Sequence, residues 1–185
     1  IAQNSALSDV FLPVSTGGNA VNYVEVSNLS NRELTAQAYI YDGAGNQIGG
    51  MLSLRLAAYA QQHIPAGARL GNGASGMMRI IASENISAYS MYYFDDAYAH
   101  LVAMYGVGHW NPSICNNITG SYNLFLGMYN WLKLFNPTGV YQYGTLRVNS
   151  PSSGITTRSV ILPPYGAVDL GLHQYSEYGT AVNSY

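Results

Sequence analysis

The sequence predicts an all-β protein made of two tandem copies of one antiparallel sandwich, the second copy lacking one or two strands. Three observations carry this. Apolar residues alternate with polar ones at a period of two. Val24 and Val26 alternate with Tyr23, Glu25 and Ser27, and Leu52, Leu54 and Leu56 with Ser53 and Arg55. That period marks strands buried on one face. Clusters of Gly, Asn, Asp, Ser and Pro at 15–19, 42–46, 67–76, 111–120 and 150–154 punctuate the chain as turns. Finally, the chain repeats itself.

The repeat has three blocks in order. Asn22 to Asn28 (NYVEVSN) matches Asn130 to Asn136 (NWLKLFN) in pattern, at an offset of 108. Ala36 to Ile40 falls on Gly144 to Val148 at the same offset. Leu56 to Ile64 (LAAYAQQHI) then matches Leu162 to Leu170 (LPPYGAVDL) at an offset of 106, so a turn has lost two residues. This register puts Asp169 at the place of His63. Ordered blocks at nearly constant spacing indicate a duplicated unit.

In the first copy, strands are expected near Leu7–Val14, Val21–Ser27, Leu34–Tyr41, Ile48–Leu56, Tyr59–Ile64, Met77–Ala82, Ile86–Phe94 and Tyr98–Tyr105. Tyr41 to Asn46 reads as a hairpin loop in which Gly supplies positive φ, and Ser83-Glu84-Asn85 as a tight turn. No segment shows a sustained helical stripe with caps. The expected organisation is an N-terminal strand over 1–14, a first sandwich over 15–108, a linker over 109–120 and a second, incomplete sandwich over 121–185.

The order Asn-x-apolar, Tyr-Asp-x-x-Gly-x and Leu-x-x-Tyr-x-x-x-apolar resembles the immunoglobulin-like β-sandwich repeats of bacterial secreted and surface proteins, over residues 21 to 94 and 118 to 170. The resemblance implies an extracellular or cell-surface β module and supplies no catalytic residues. The Cys…Trp…Cys spacing of antibody domains is missing.

The counterpart of Phe94 at the second offset would fall past Tyr185, so the last two strands of the first copy have none in the second. A sandwich short of strands exposes an apolar groove and unpaired backbone. Three explanations stay open: a truncated or proteolysed chain, a smaller self-sufficient second copy, or a strand supplied by another molecule through donor-strand addition. The start at Ile1 without Met suits a processed product or a fragment. On the donor-strand reading, residues 1–14 are the donor, with Val10, Leu12 and Val14 as inserting residues. Ala181 and Val182 then form the open acceptor edge, with Tyr178 and Tyr185 in the same interface.

Composition narrows the partners. Charged residues are 9 % of the chain, against about 25 % in ordinary soluble domains. Net charge is −2 and Lys133 is the one lysine, so no basic stripe exists to bind nucleic acid. No apolar run is long enough to span a bilayer. The polarity comes from 20 Gly, 17 Tyr, 18 Ser and 16 Asn, which favours an extracellular or cell-surface setting. Three sequons make Asn28, Asn85 and Asn117 candidate glycosylation sites. Cys115 is alone, so no internal disulfide forms.

Chemistry-bearing patterns are weak. His63, His100, His109 and His173 lack metal-ligand spacing. The loop from Asp42 to Asn46 lacks the donor pattern of a calcium loop, and Asp95-Asp96 would point to opposite faces of a strand. No nucleophile elbow or phosphate loop occurs. The expectation is therefore no enzyme, no catalytic residues, no cofactor and no metal. Tyrosines cluster at 89–98, 122–143 and 165–185, and Tyr suits interfaces. The expected function is a structural subunit of an extracellular filament, its partners being copies of itself. The alternative is a secreted adhesin or carbohydrate-binding module whose partner is a cell-surface glycan.

Overall fold

The structure is a computed structural model, and it describes residues 7–96, 98–109, 119–121, 130–150 and 154–174. The alternating segments form β1 (Leu7–Ser15), β2 (Val21–Asn28), β3 (Leu34–Asp42), β4 (Leu52–Leu56), β5 (Gln61–Ile64), β6 (Ser75–Asp95) and β7 (Leu101–Gly108) in the first repeat. The second repeat has β8 (Trp131–Phe135), β9 (Gln142–Ser150), β10 (Gly154–Leu162) and β11 (Ala167–Gly171). All pairings are antiparallel. The chain is thus all-β, as its period predicts.

The first repeat is organised by β6. Its first half lies between β1 and β3, and its second half between β2 and β7. Two layers result, β4-β3-β6-β1 and β5-β2-β6-β7, sharing one strand. Their inner faces meet in a single core. Val10, Leu12 and Val14 of β1, Val24 and Val26 of β2, and Ile80, Ile86 and Ala88 of β6 are all at 0 % exposure. Burial alternates strictly along β2 and β3, which is why these strands were readable from the sequence.

Several boundaries differ from expectation. Ser83-Glu84-Asn85 is not a turn between two strands. β6 runs through it, and the three residues Leu7 to Asp9 of β1 lie opposite the six residues Ile86 to Ile81 of β6. The polar triplet bulges outward while the backbone continues. β4 starts at Leu52 rather than Ile48, after Gly49 at φ 65. β5 starts at Gln61 because Tyr59 sits at φ 57. β7 starts at Leu101 rather than Tyr98, since Asp96 caps the preceding turn by accepting from the Tyr98 and His100 amides at 2.8 and 2.9 Å. A short helix, α1 (Gly67–Leu70), occupies part of the expected loop.

The internal repeat is visible bond by bond. Asn28 donates through Nδ2 to the carbonyls of Arg32, Leu56 and Ala57 at 2.7, 3.2 and 2.8 Å. Asn136 donates likewise to Val140, Leu162 and Pro163 at 2.7, 3.3 and 2.9 Å. Their Oδ1 atoms accept from the backbone and hydroxyl of Ser30 and of Thr138 respectively. Tyr59 and Tyr165 take matching positive φ values of 57 and 56°. Each Asn therefore ties the turn after its own strand to a later turn, β4–β5 for Asn28 and β10–β11 for Asn136.

This geometry corrects one site. Asn28 is 2 % exposed and its amide is fully used, so the folded chain presents no glycosylation acceptor there. Asn85 is exposed. Asn117 lies outside the described residues. Asn28→Ala and Asn136→Ala each strip the partner from two or more turn carbonyls. Each should lower unfolding free energy by about 1–3 kcal/mol in urea denaturation, and Asn28 should be unmodified by mass spectrometry after secretion from a glycosylating host.

Candidate functional site

Matching the two repeats locates an uncovered region. β8 pairs with β11 as β2 pairs with β5, and β9 with β10 as β3 with β4. In the first repeat β6 bridges the two pairs. Among the described residues, no strand bridges β8 and β9, which stand as two separate two-stranded sheets. Packing reflects this. Val24, Val26, Ala38 and Leu54 are at 0, 0, 1 and 6 % exposure, whereas their counterparts Leu132, Leu134, Leu146 and Val160 are only half-buried. A second open edge belongs to β7, which among the described residues pairs only with β6 and carries no charged residue. Leu101, Val102 and Met104 there are 53, 63 and 53 % exposed.

The second repeat is docked on the first through the outer face of β8 and β11. Lys133 and Asp169 are direct cross-strand neighbours and form an ion pair at 2.6 Å, with side chains 11 and 10 % exposed. Lys133 Nζ lies 4.6 Å from the centroid of the Tyr92 ring, and Asp169 accepts from the Ser15 hydroxyl. Tyr41 stacks on Tyr165 at 5.1 Å, and the Ala167 amide donates to the Gly43 carbonyl at 3.2 Å. Gly45, at φ 87, passes the Pro164 carbonyl so closely that any side chain there would collide with it. Burial pushes the Tyr92 hydroxyl above its ordinary range. Burial, and then the negative charge of Asp169, push Tyr105 up to about 12.

The corresponding face of the first repeat meets no residue of the second repeat among those described. Tyr23, Glu25 and His63 occupy the places of Trp131, Lys133 and Asp169, and Glu25 and His63 are again cross-strand neighbours, 3.2 Å apart. Tyr23 is 36 % exposed and meets Tyr93 edge-on at 6.1 Å. Val21, Tyr23, His63, Tyr93, Asp95 and Leu101 line a shallow groove of about 350 Å³.

The residues singled out from the sequence fall as follows. Val10, Leu12 and Val14 are seated in their own repeat at 0 % exposure, paired with β6. Serving as a donor strand would therefore mean opening the first core. Tyr178, Ala181, Val182, Tyr185 and Cys115 lie outside the described residues. His100 bonds Asp96 at 3.1 Å within a surface turn, and His173 meets Trp131 edge-on. The amides of His100 and Tyr98 hold the Asp96 carboxyl below its ordinary range, so Asp96 serves its turn. Among the described residues no three His, Cys, Asp or Glu side chains converge, and no helix is long and apolar enough to cross a membrane. The Lys133–Asp169 pair was not singled out from the sequence. The signal was available, since the repeat register aligns those residues with Glu25 and His63.

Lys133→Ala leaves Asp169 buried without its cation and should cost about 3–5 kcal/mol in chemical denaturation, whereas Lys133→Met with Asp169→Leu should recover most of that loss. A raised phenol pKa favours the neutral form in the fold. Stability should therefore hold below pH 10 and fall as pH rises from 10 through about 12. Absorbance titration at the phenolate band should show Tyr92 and Tyr105 ionising after the exposed tyrosines.

Comparison with known protein families and with curated proteins finds no match. Among solved structures, the chain is similar to the crystal structure of Thermotoga maritima 1070, at 9 % identity, over 58 % of this chain and 96 % of that one, with a TM-score of 0.45. A likeness at that score is evidence of neither shared fold nor shared chemistry.

Proposed function

We propose that this chain is a structural subunit of an extracellular filament or surface assembly, built from two tandem immunoglobulin-like units and joined to its neighbours by strand addition and Tyr-rich contacts. The observation that carries the reading is the second repeat, whose β8–β11 and β9–β10 pairs stand unbridged among the described residues over a half-covered apolar core. Apolar side chains beside open strand edges favour pairing with another chain. The donor consistent with this fold is β7, an exposed, uncharged edge strand, rather than β1, which is locked in its own core. An edge on the first repeat that meets an edge on the second makes a head-to-tail contact, which propagates unless rotation closes a ring. Sparse charge lets like subunits sit close.

A carbohydrate-binding role is the second reading, favoured by the groove with its two tyrosines and the Asp95 carboxylate.

Sedimentation velocity and electron microscopy test the first reading. The wild-type chain should self-associate with concentration into regular assemblies. Val102→Lys, a charge on the open β7 edge, should weaken association at least tenfold with an unchanged melting temperature. A monodisperse wild-type monomer at all concentrations overturns the reading.

A further inference from the structure

We propose that Asn72-Gly73, at the tip of the loop between α1 and β6, is a site of spontaneous backbone modification, at which Asn72 deamidates through a cyclic imide to aspartate and isoaspartate. The inference goes beyond the assembly reading and does not rest on it.

The sequence supplies one such pair. Of sixteen Asn in the chain, Asn72 alone is followed by Gly. The reaction needs the next residue's amide nitrogen to reach Cγ of the Asn side chain. Gly at that next position puts no Cβ in the way and lets the backbone turn freely. Asn and Gly at a loop tip are also the residues a tight turn selects.

The fold presents the pair and holds what surrounds it. Thr16 pins both ends of the loop. Its hydroxyl donates to the Gly71 carbonyl at 2.5 Å and accepts from the Ala74 amide at 3.0 Å, and its own amide donates to the Ala74 carbonyl at 2.9 Å. Between these pins Asn72 and Gly73 are exposed. Gly73 sits at φ 67, and a Cβ built there would meet nothing within 4 Å. Among the described residues, neither the Asn72 side chain nor the Gly73 amide has a hydrogen-bond partner. The two reacting groups are therefore free to move against each other, as exposed loop tips do. Asn22, Asn28 and Asn136 are the opposite case. They are 1, 2 and 1 % exposed, and their amides are committed to hydrogen bonds that hold Cγ in place.

The chemistry balances with water as the one co-reactant. The Gly73 amide nitrogen loses its proton and attacks Cγ of Asn72, and the side-chain nitrogen leaves as ammonia. The five-membered imide then takes up one water. Opening at the side-chain carbonyl gives Asp, and opening at the main-chain carbonyl gives isoAsp, whose backbone runs through the former side chain. Nothing is oxidised or reduced. Each event adds one negative charge to a chain whose net charge is −2. The rate rises with pH, because the attacking nitrogen must be deprotonated.

The test uses the full folded chain, held in mildly alkaline buffer and then digested with trypsin in mildly acidic buffer. Cleavage after Arg69 and Arg79 releases residues 70–79, a peptide in which Asn72 is the sole Asn. Mass spectrometry should show this peptide gaining the mass difference between an NH2 and an OH group, as a mixture of isoAsp and Asp, while Asn22, Asn28 and Asn136 stay intact. Gly73→Ala should slow the conversion at least tenfold. Asn72→Gln, which would need a larger ring, should remove the new acidic band in isoelectric focusing of the intact chain. The folded rate should lie within tenfold of the rate in urea. Conversion at Asn72 that proceeds in urea but is suppressed more than tenfold in the folded chain overturns the inference, as does an equal rate in Gly73→Ala.

Discussion

One strand holds the first repeat together. β6 pairs with β1 and β3 along its first half and with β2 and β7 along its second, so two layers share its backbone. Its inward residues Met78, Ile80, Ile86, Ala88 and Tyr92 are fully buried and form the middle of the core. Everything else in the repeat is placed relative to this strand. The second repeat shows what the arrangement is without such a bridge among the described residues: the same strand pairs and the same Asn-centred turns, but leucines and valines only half covered.

The two repeats also differ in what they do with one face. At Glu25–His63 and Lys133–Asp169 the same cross-strand place carries its carboxylate on opposite strands, β2 in one pair and β11 in the other. The second pair is buried by docking on the first repeat, and that contact needs a cation over Tyr92 and an acceptor for Ser15. The single lysine of a lysine-poor chain is thus used internally. The first pair stays at the surface beside Tyr23.

Much of the fold was legible in the sequence because it is local. β2, β3 and their counterparts were found through alternation, and Asn28 and Asn136 anchored the repeat alignment because their turns require an amide that donates to several carbonyls at once. The continuity of β6 was not legible. Ser83-Glu84-Asn85 has the composition of a turn, and only pairing with β1, some seventy residues earlier, shows it as an outward bulge. The place of β1 in the fold was not legible for a related reason. An apolar segment near a chain end looks detachable, and nothing in its sequence states that Val10, Leu12 and Val14 complete the core of their own repeat. The burial of Asn28 is likewise not encoded in a three-residue motif.

The central claim is that the open pairs of the second repeat receive a strand from another copy. Hydrogen exchange of the β8 and β9 backbone amides, compared between dilute and assembled protein, tests it most directly. Amides on the edges not bonded to β11 or β10 should exchange quickly in dilute protein and become protected on assembly, as those of β2 and β3 already are beside β6. Equal exchange in both states, or protection already complete in the monomer, would contradict it.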